Sequence, residues 1–227
     1  MKKILKEAKH FIGDIIKNWI SIKDIIDEGF SNAKFSDNVV ILVQGYSRSV
    51  KSIALNLRDP LEKEGFNVFV FNPGSSINKN IEYTSKKLSQ FVEKVCEKSE
   101  VSRVSFVAHS MGGLISLYYL EKLGGNKRVK KIITAGTPFQ GTRVAYLGIY
   151  TRAARQMIPK SSFLKDLMKD LHYANKIISV RARKDQIIKP KISSILEGAK
   201  NIEVDDVGHV ALIRSDELMD IIKKELK

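Results

Sequence analysis

Ser110 is the residue of this chain best placed for covalent nucleophilic chemistry, because of what surrounds it. In Ala108-His109-Ser110-Met111-Gly112-Gly113 it lies among small residues, directly after the apolar run of Val104, Phe106 and Val107. Leu114, Ile115, Leu117, Tyr118 and Leu120 then recur at helical spacing. A buried strand that turns sharply into a helix at such a serine has the pattern of a nucleophile elbow, G-x-S-x-G, which presents the hydroxyl above the sheet edge. Ala108 stands in the first glycine's place. That is a mild departure, since only a small side chain is required against the neighbouring strands.

A serine hydroxyl is a weak nucleophile at neutral pH unless a base takes its proton and a third group orients that base. The chain has four histidines. His10 precedes the first strand pattern, His109 adjoins the serine with its side chain expected to point away, and His172 ends a helical segment. His209 follows the last strand pattern, on a loop that Gly208 frees to reach inward, and is the expected general base. Asp185 follows the apolar segment 176–182 on a neighbouring loop and is the expected orienting acid. Asp205 and Asp206 rank second, because a residue so close in sequence needs a tight local turn to reach the far ring nitrogen of His209. An oxyanion formed at the serine needs preorganised N–H donors. The backbone N–H of Met111 opens the following helix and supplies one. Tyr46 N–H supplies the other, from a loop that Gly45 lets approach the serine.

The elements that must position these residues alternate along the chain. Strand patterns fall at 39–44, 67–72, 103–108, 130–135, 176–182 and 201–204. Helical patterns fall at 50–64, 79–98, 111–123, 152–171, 189–197 and 214–226. Pro60 is expected to kink or split the first of these. Apolar strands alternating with helices predict an α/β domain over 38–227: a mostly parallel six-stranded sheet with helices on both faces. In such a sheet, functional groups gather at the carboxyl ends of the strands.

Three motifs carry a family resemblance: Ala-His-Ser-Met-Gly-Gly at the elbow, Val-Gln-Gly-Tyr after the first strand, and Ala-Gly-Thr-Pro-Phe-Gln-Gly-Thr at 135–142. Together they resemble the α/β-hydrolase superfamily, most of all its lipases and esterases, over about residues 38–212. The chain order Ser110, Asp185, His209 is that of the superfamily. Gln44 and Phe139 stand where several such lipases carry a histidine. The resemblance implies a serine carboxylester hydrolase for lipid-like or acyl esters, working through an acyl-enzyme with no metal or cofactor. It also implies a helical lid at about 141–175, where Pro159-Lys160-Ser161-Ser162-Phe163-Leu164 is similar to a lipase lid sequence. Tyr146, Leu147, Ile149, Met157 and Phe163 are the candidate acyl-contacting residues there, and a plain two-helix core insertion explains the same stripe equally well. Thioester hydrolysis and acyl transfer use the same serine chemistry and stay open.

Residues 1–30 stand apart from the resemblance. Ile4, Leu5, Ala8, Phe11, Ile12, Ile15, Ile16, Trp19 and Ile20 recur at three- and four-residue steps, with Lys2, Lys3, Lys6, Lys9 and Lys17 mostly off that stripe. Such an amphipathic helix can pack on the domain or lie in a membrane interface through residues 1–26, with lysines toward anionic headgroups. The second option keeps in view a non-enzymatic, membrane-associated protein on a hydrolase scaffold. Glu7, Lys9, His10 and Asp14 break any signal-peptide core, and no apolar run is long enough to cross a bilayer. With Cys96 as the single cysteine, a reducing, cytoplasmic setting is expected. The net charge of +14 is mostly scattered lysine without aromatic interleaving, so no nucleic-acid partner is expected.

Overall fold

The computed structural model describes residues 38–46 and 50–227. The expected helix over residues 1–30 therefore lies outside the described residues. Six parallel strands form one sheet: β1 (Val39–Val43), β2 (Asn67–Phe71), β3 (Val104–His109), β4 (Val129–Ala135), β5 (Ile177–Ala182) and β6 (Lys200–Val204), in the order β2-β1-β3-β4-β5-β6. The described helices are α1 (Val50–Lys63), α2 (Ile81–Ser99), α3 (Met111–Lys122), α4 (Arg152–Gln156), α5 (Ser162–Met168) and α6 (Asp216–Leu226).

Strand residues alternate between two buried layers, as the pleat requires. Val39, Ile41 and Val43 of β1 face one core, which α2 fills with Ile81, Leu88 and Val92 and α3 with Leu114 and Leu117. Val40 and Leu42 face the other, closed by Ile53, Leu57 and Leu61 of α1 and by Leu218 and Ile222 of α6. All five positions of β1 are buried, which is why its sequence reads as unbroken Val-Val-Ile-Leu-Val.

The chain leaves β1 for β2 on one side and returns to β3 on the other, so the strand order reverses between β1 and β3. Ligand sites of open parallel sheets form at such a crevice. The register pairs Val43 with Ala108, which sets Gly45 beside His109, Ser110 and Met111 just beyond the strand ends.

Three helical expectations are corrected. The first helix runs unbroken through Pro60, which sits one turn from its end and removes a single backbone donor. The expected helix 152–171 is two short ones, α4 and α5. Pro159 and Lys160 separate them, Lys160 having φ 64°, and Ser161 starts α5 as its cap. The expected helix 189–197 is one 3₁₀ turn at Lys191–Ser194. Its serines bond elsewhere: Ser193 Oγ donates to the Gly141 carbonyl at 2.5 Å, and the Ser194 carbonyl accepts from Ser179 Oγ at 2.5 Å.

Candidate functional site

Ser110 joins β3 to α3 with φ 54° and ψ −125°. A side chain rarely occupies that region, and holding one there costs about 1–3 kcal/mol. As the N-cap of α3 its hydroxyl makes no capping hydrogen bond, although capping is what serine ordinarily does at that position. Two contacts hold the strained turn. Ser110 N–H donates to the Ala135 carbonyl at 2.8 Å, and Thr137 Oγ1 donates to the Ser110 carbonyl at 2.9 Å.

Small residues around the turn are explained by clearance. A Cβ at Gly45 would lie 2.8 Å from the Ser110 Cβ and 3.3 Å from Met111 N, so the loop after β1 rests directly on the elbow. At Gly112 a Cβ would meet the Val43 carbonyl oxygen at 2.3 Å, and at Gly113 it would meet Thr137 Oγ1 at 2.0 Å. Met111, the first residue of α3, has an N–H with no place in the helical ladder. It follows the serine directly, and Tyr46 follows Gly45, the residue that rests on the serine.

His209 and Asp185 meet in the interior. His209 Nδ1 stands 2.8 Å from Asp185 Oδ2, and both residues are buried. The other carboxylate oxygen, Oδ1, accepts the backbone N–H groups of Ile187 at 2.8 Å and Ile188 at 2.7 Å. Burial on its own would raise the Asp185 pKa. The His209 hydrogen bond and charge, with those two backbone donors, outweigh it and hold the carboxyl below its ordinary 3.8. The rival carboxylates are engaged at the surface, Asp205 with Arg183 at 2.7 Å and Asp206 with Lys184 at 2.6 Å. His172 is exposed, its Nδ1 3.8 Å from a Glu121 carboxylate oxygen. His10 is outside the described residues.

His109 does more than its sequence position suggests. Its ring lies 4.7 Å from that of His209, tilted by 44°, and its Nε2–H donates to the His209 carbonyl at 3.2 Å. Burial, then the neighbouring His209, lowers its pKa to about 3, so it is a neutral prop under the loop that carries His209. Gly136 was also missed as a neighbour of the pair. At φ 61° it leaves room where a Cβ would stand 2.9 Å from His209 Nδ1 and 3.4 Å from Asp185 Oδ2. The sequence signals available were the histidine beside the serine and the glycine after β4, but neither reveals a contact with residue 209.

The insertion between β4 and β5 is laced to the site. Thr142 Oγ1 donates to the Ile187 carbonyl at 2.5 Å, two residues from Asp185. The hydroxyls of Tyr46 and Thr151 are 2.6 Å apart. Of the candidate acyl-contacting residues, Tyr146, Leu147 and Ile149 are exposed, with Tyr150 beside them almost fully so. Met157 and Phe163 are instead packed in the core, Phe163 stacked on Tyr118 at 6.0 Å between ring centroids.

A family model described as alpha/beta hydrolase fold matches residues 38–157. Among solved structures, the chain is similar to a lipase of Bacillus licheniformis in its mature form, at 15% identity and TM-score 0.73, over 87% of this chain and 95% of that one. Lipase B of Aspergillus fumigatus aligns at 19% identity and TM-score 0.70, over 80% of this chain, which spans about half (52%) of that longer protein. An esterase of Pyrococcus furiosus aligns at 18% identity and TM-score 0.61, over 84% and 83%. At these identities the likeness is one of fold.

Proposed function

The chain belongs to the α/β-hydrolase fold family, and from that premise we propose that it is a serine hydrolase of carboxylic esters, acting on acyl or lipid-like substrates. The observation that carries the proposal is the buried 2.8 Å contact between His209 Nδ1 and Asp185, at the same sheet edge as a serine held at positive φ. In this reading Ser110 Oγ attacks the ester carbonyl and His209 Nε2 takes its proton. Asp185 fixes the ring and stabilises the charge that the ring acquires. The N–H groups of Tyr46 and Met111 hold the oxyanion. Collapse of the intermediate expels the alcohol, which leaves with the proton from His209. Water, activated by the same ring, then frees the acyl group from Ser110. Structural neighbours named as lipases and esterases support esters over other acyl compounds. The segment 141–175, tied to Tyr46 and to the Asp185 loop, serves as the lid, with Tyr146, Leu147 and Ile149 as its apolar edge.

Ser110→Ala tests the nucleophile. Hydrolysis of p-nitrophenyl butyrate should fall by at least about 10³-fold, with only residual oxyanion and binding effects left. The circular dichroism spectrum should not change. Retained turnover would remove Ser110 from the mechanism. A faster reaction with matched thioesters would redirect the substrate class and leave the triad in place.

A further inference from the structure

We propose that the cleft beside α4 seats the phosphate-bearing end of the substrate, an inference that rests on the ester-hydrolase reading above. This cleft, of about 630 Å³, is lined by Asn78, Lys79, Tyr83, Tyr150, Arg152 and Arg155 among others, with Thr151 at its wall. Three cations line it and no carboxylate does. Arg152 and Arg155 are three apart on one short helix, so like charges share a face at some cost. Among the described residues Lys79, Arg152 and Arg155 have no ion-pair partner. Arg155 is steadied by its bond to the Ile149 carbonyl at 3.0 Å, and the Lys79 ammonium lies 4.4 Å from the centroid of the Tyr83 ring. An adjoining cleft shares both arginines but adds Glu82 and Asp166, which leaves the all-cationic side for an anion.

A chain of contacts joins this cleft to the nucleophile. Gly45 rests on Ser110, Tyr46 follows it, and the Tyr46 hydroxyl bonds that of Thr151, the residue before Arg152. The cleft thus begins one tyrosine side chain from the elbow. Guanidinium groups in pairs suit a tetrahedral oxyanion, which both can grip in a forked manner. A carbonyl held at Ser110 and a phosphate held at Arg152 and Arg155 describe a carboxylic ester whose alcohol part carries a phosphate. The phosphate could also arrive free, and the two sources are separated by experiment.

Ser110→Ala protein, which cannot turn over, is titrated calorimetrically at fixed ionic strength with dihexanoyl glycerophosphate, dihexanoylglycerol and inorganic phosphate. The phosphate-bearing ester should bind at least about tenfold more tightly than the neutral one, as charged hydrogen bonds of ordinary strength require. Adding Arg152→Gln and Arg155→Gln should erase that preference. Lys79→Gln, at an exposed position outside the helix, should weaken it on its own. Equal binding of the two esters, or a preference that survives all three substitutions, overturns the proposal. Inorganic phosphate binding as tightly as the ester also overturns it, because the cleft would then take free phosphate. Should Ser110→Ala still turn over, the same comparison with the diether analogues of both lipids, which cannot be hydrolysed, keeps the binding results readable, so the two readings fail separately.

Discussion

At Ser110 the backbone is held at φ 54°, ψ −125°, where a β-carbon is unwelcome and glycine is not. The strain separates stability from activity. Ser110→Gly relieves about 1–3 kcal/mol of it and loses about 0.5–1 kcal/mol to the freer unfolded chain. A net gain of about 1 kcal/mol should raise the melting temperature by roughly 2–4 °C in a protein of this size. Ser110→Ala should give no such gain, and an equal rise in both variants would argue against strain at the elbow. Asp185→Asn keeps the size of the side chain, but its amide can donate where the carboxylate only accepts, so His209 loses its tautomer. Turnover should fall by about 10³–10⁴-fold with little change in fold. The meeting of His209 with Asp185 and the sharp turn at Ser110 were legible from residue type, order and position at strand ends. The contacts of His109 and Gly136 with His209 were not, because residues 100 and 73 positions apart meet only through the sheet.

At the scale of elements, alternating apolar strands and helices gave the sheet and its edges to within a residue or two. What escaped was the insertion between β4 and β5 and the loop after β5. There the chain serves tertiary contacts: Ser193 bonds to Gly141, Thr142 to Ile187, and Gln156 Oε1 caps the Ile81 N–H at 2.6 Å. Helical periodicity over 152–171 was real, but Pro159 and Lys160 divide it. The Tyr46–Thr151 bond ties the loop proposed to hold the oxyanion to the start of α4. Tyr46→Phe removes that bond and keeps the ring, so kcat should fall about two- to tenfold, the range of one hydrogen bond. An unchanged kcat would mean that Gly45 alone positions the loop.

For the whole molecule, the buried neutral His109 couples stability to acid. Its pKa falls from 6.5 to about 3 on folding, so between those values the unfolded chain binds a proton that the folded one refuses. Stability should therefore be unaffected by this group above pH 6.5 and fall on acidification, by at most about 1.4 kcal/mol per pH unit. Asp185 adds to the loss only further down, since its stabilising ionised form persists until the pH drops below its ordinary 3.8. Urea unfolding of His109→Gln should show a shallower decline from pH 6.5 to 4.5 than the parent protein. Parallel curves would show that His109 protonates freely in the folded state.

The central claim is that this fold activates one particular serine, and a fluorophosphonate probe with peptide mapping tests it most directly. Such a probe reacts with a hydroxyl whose proton is being removed and needs no knowledge of the natural ester. The account predicts a single adduct, on Ser110, abolished by Ser110→Ala and strongly slowed by Asp185→Asn. An unlabelled protein that is folded, or an adduct on any other serine, would contradict it.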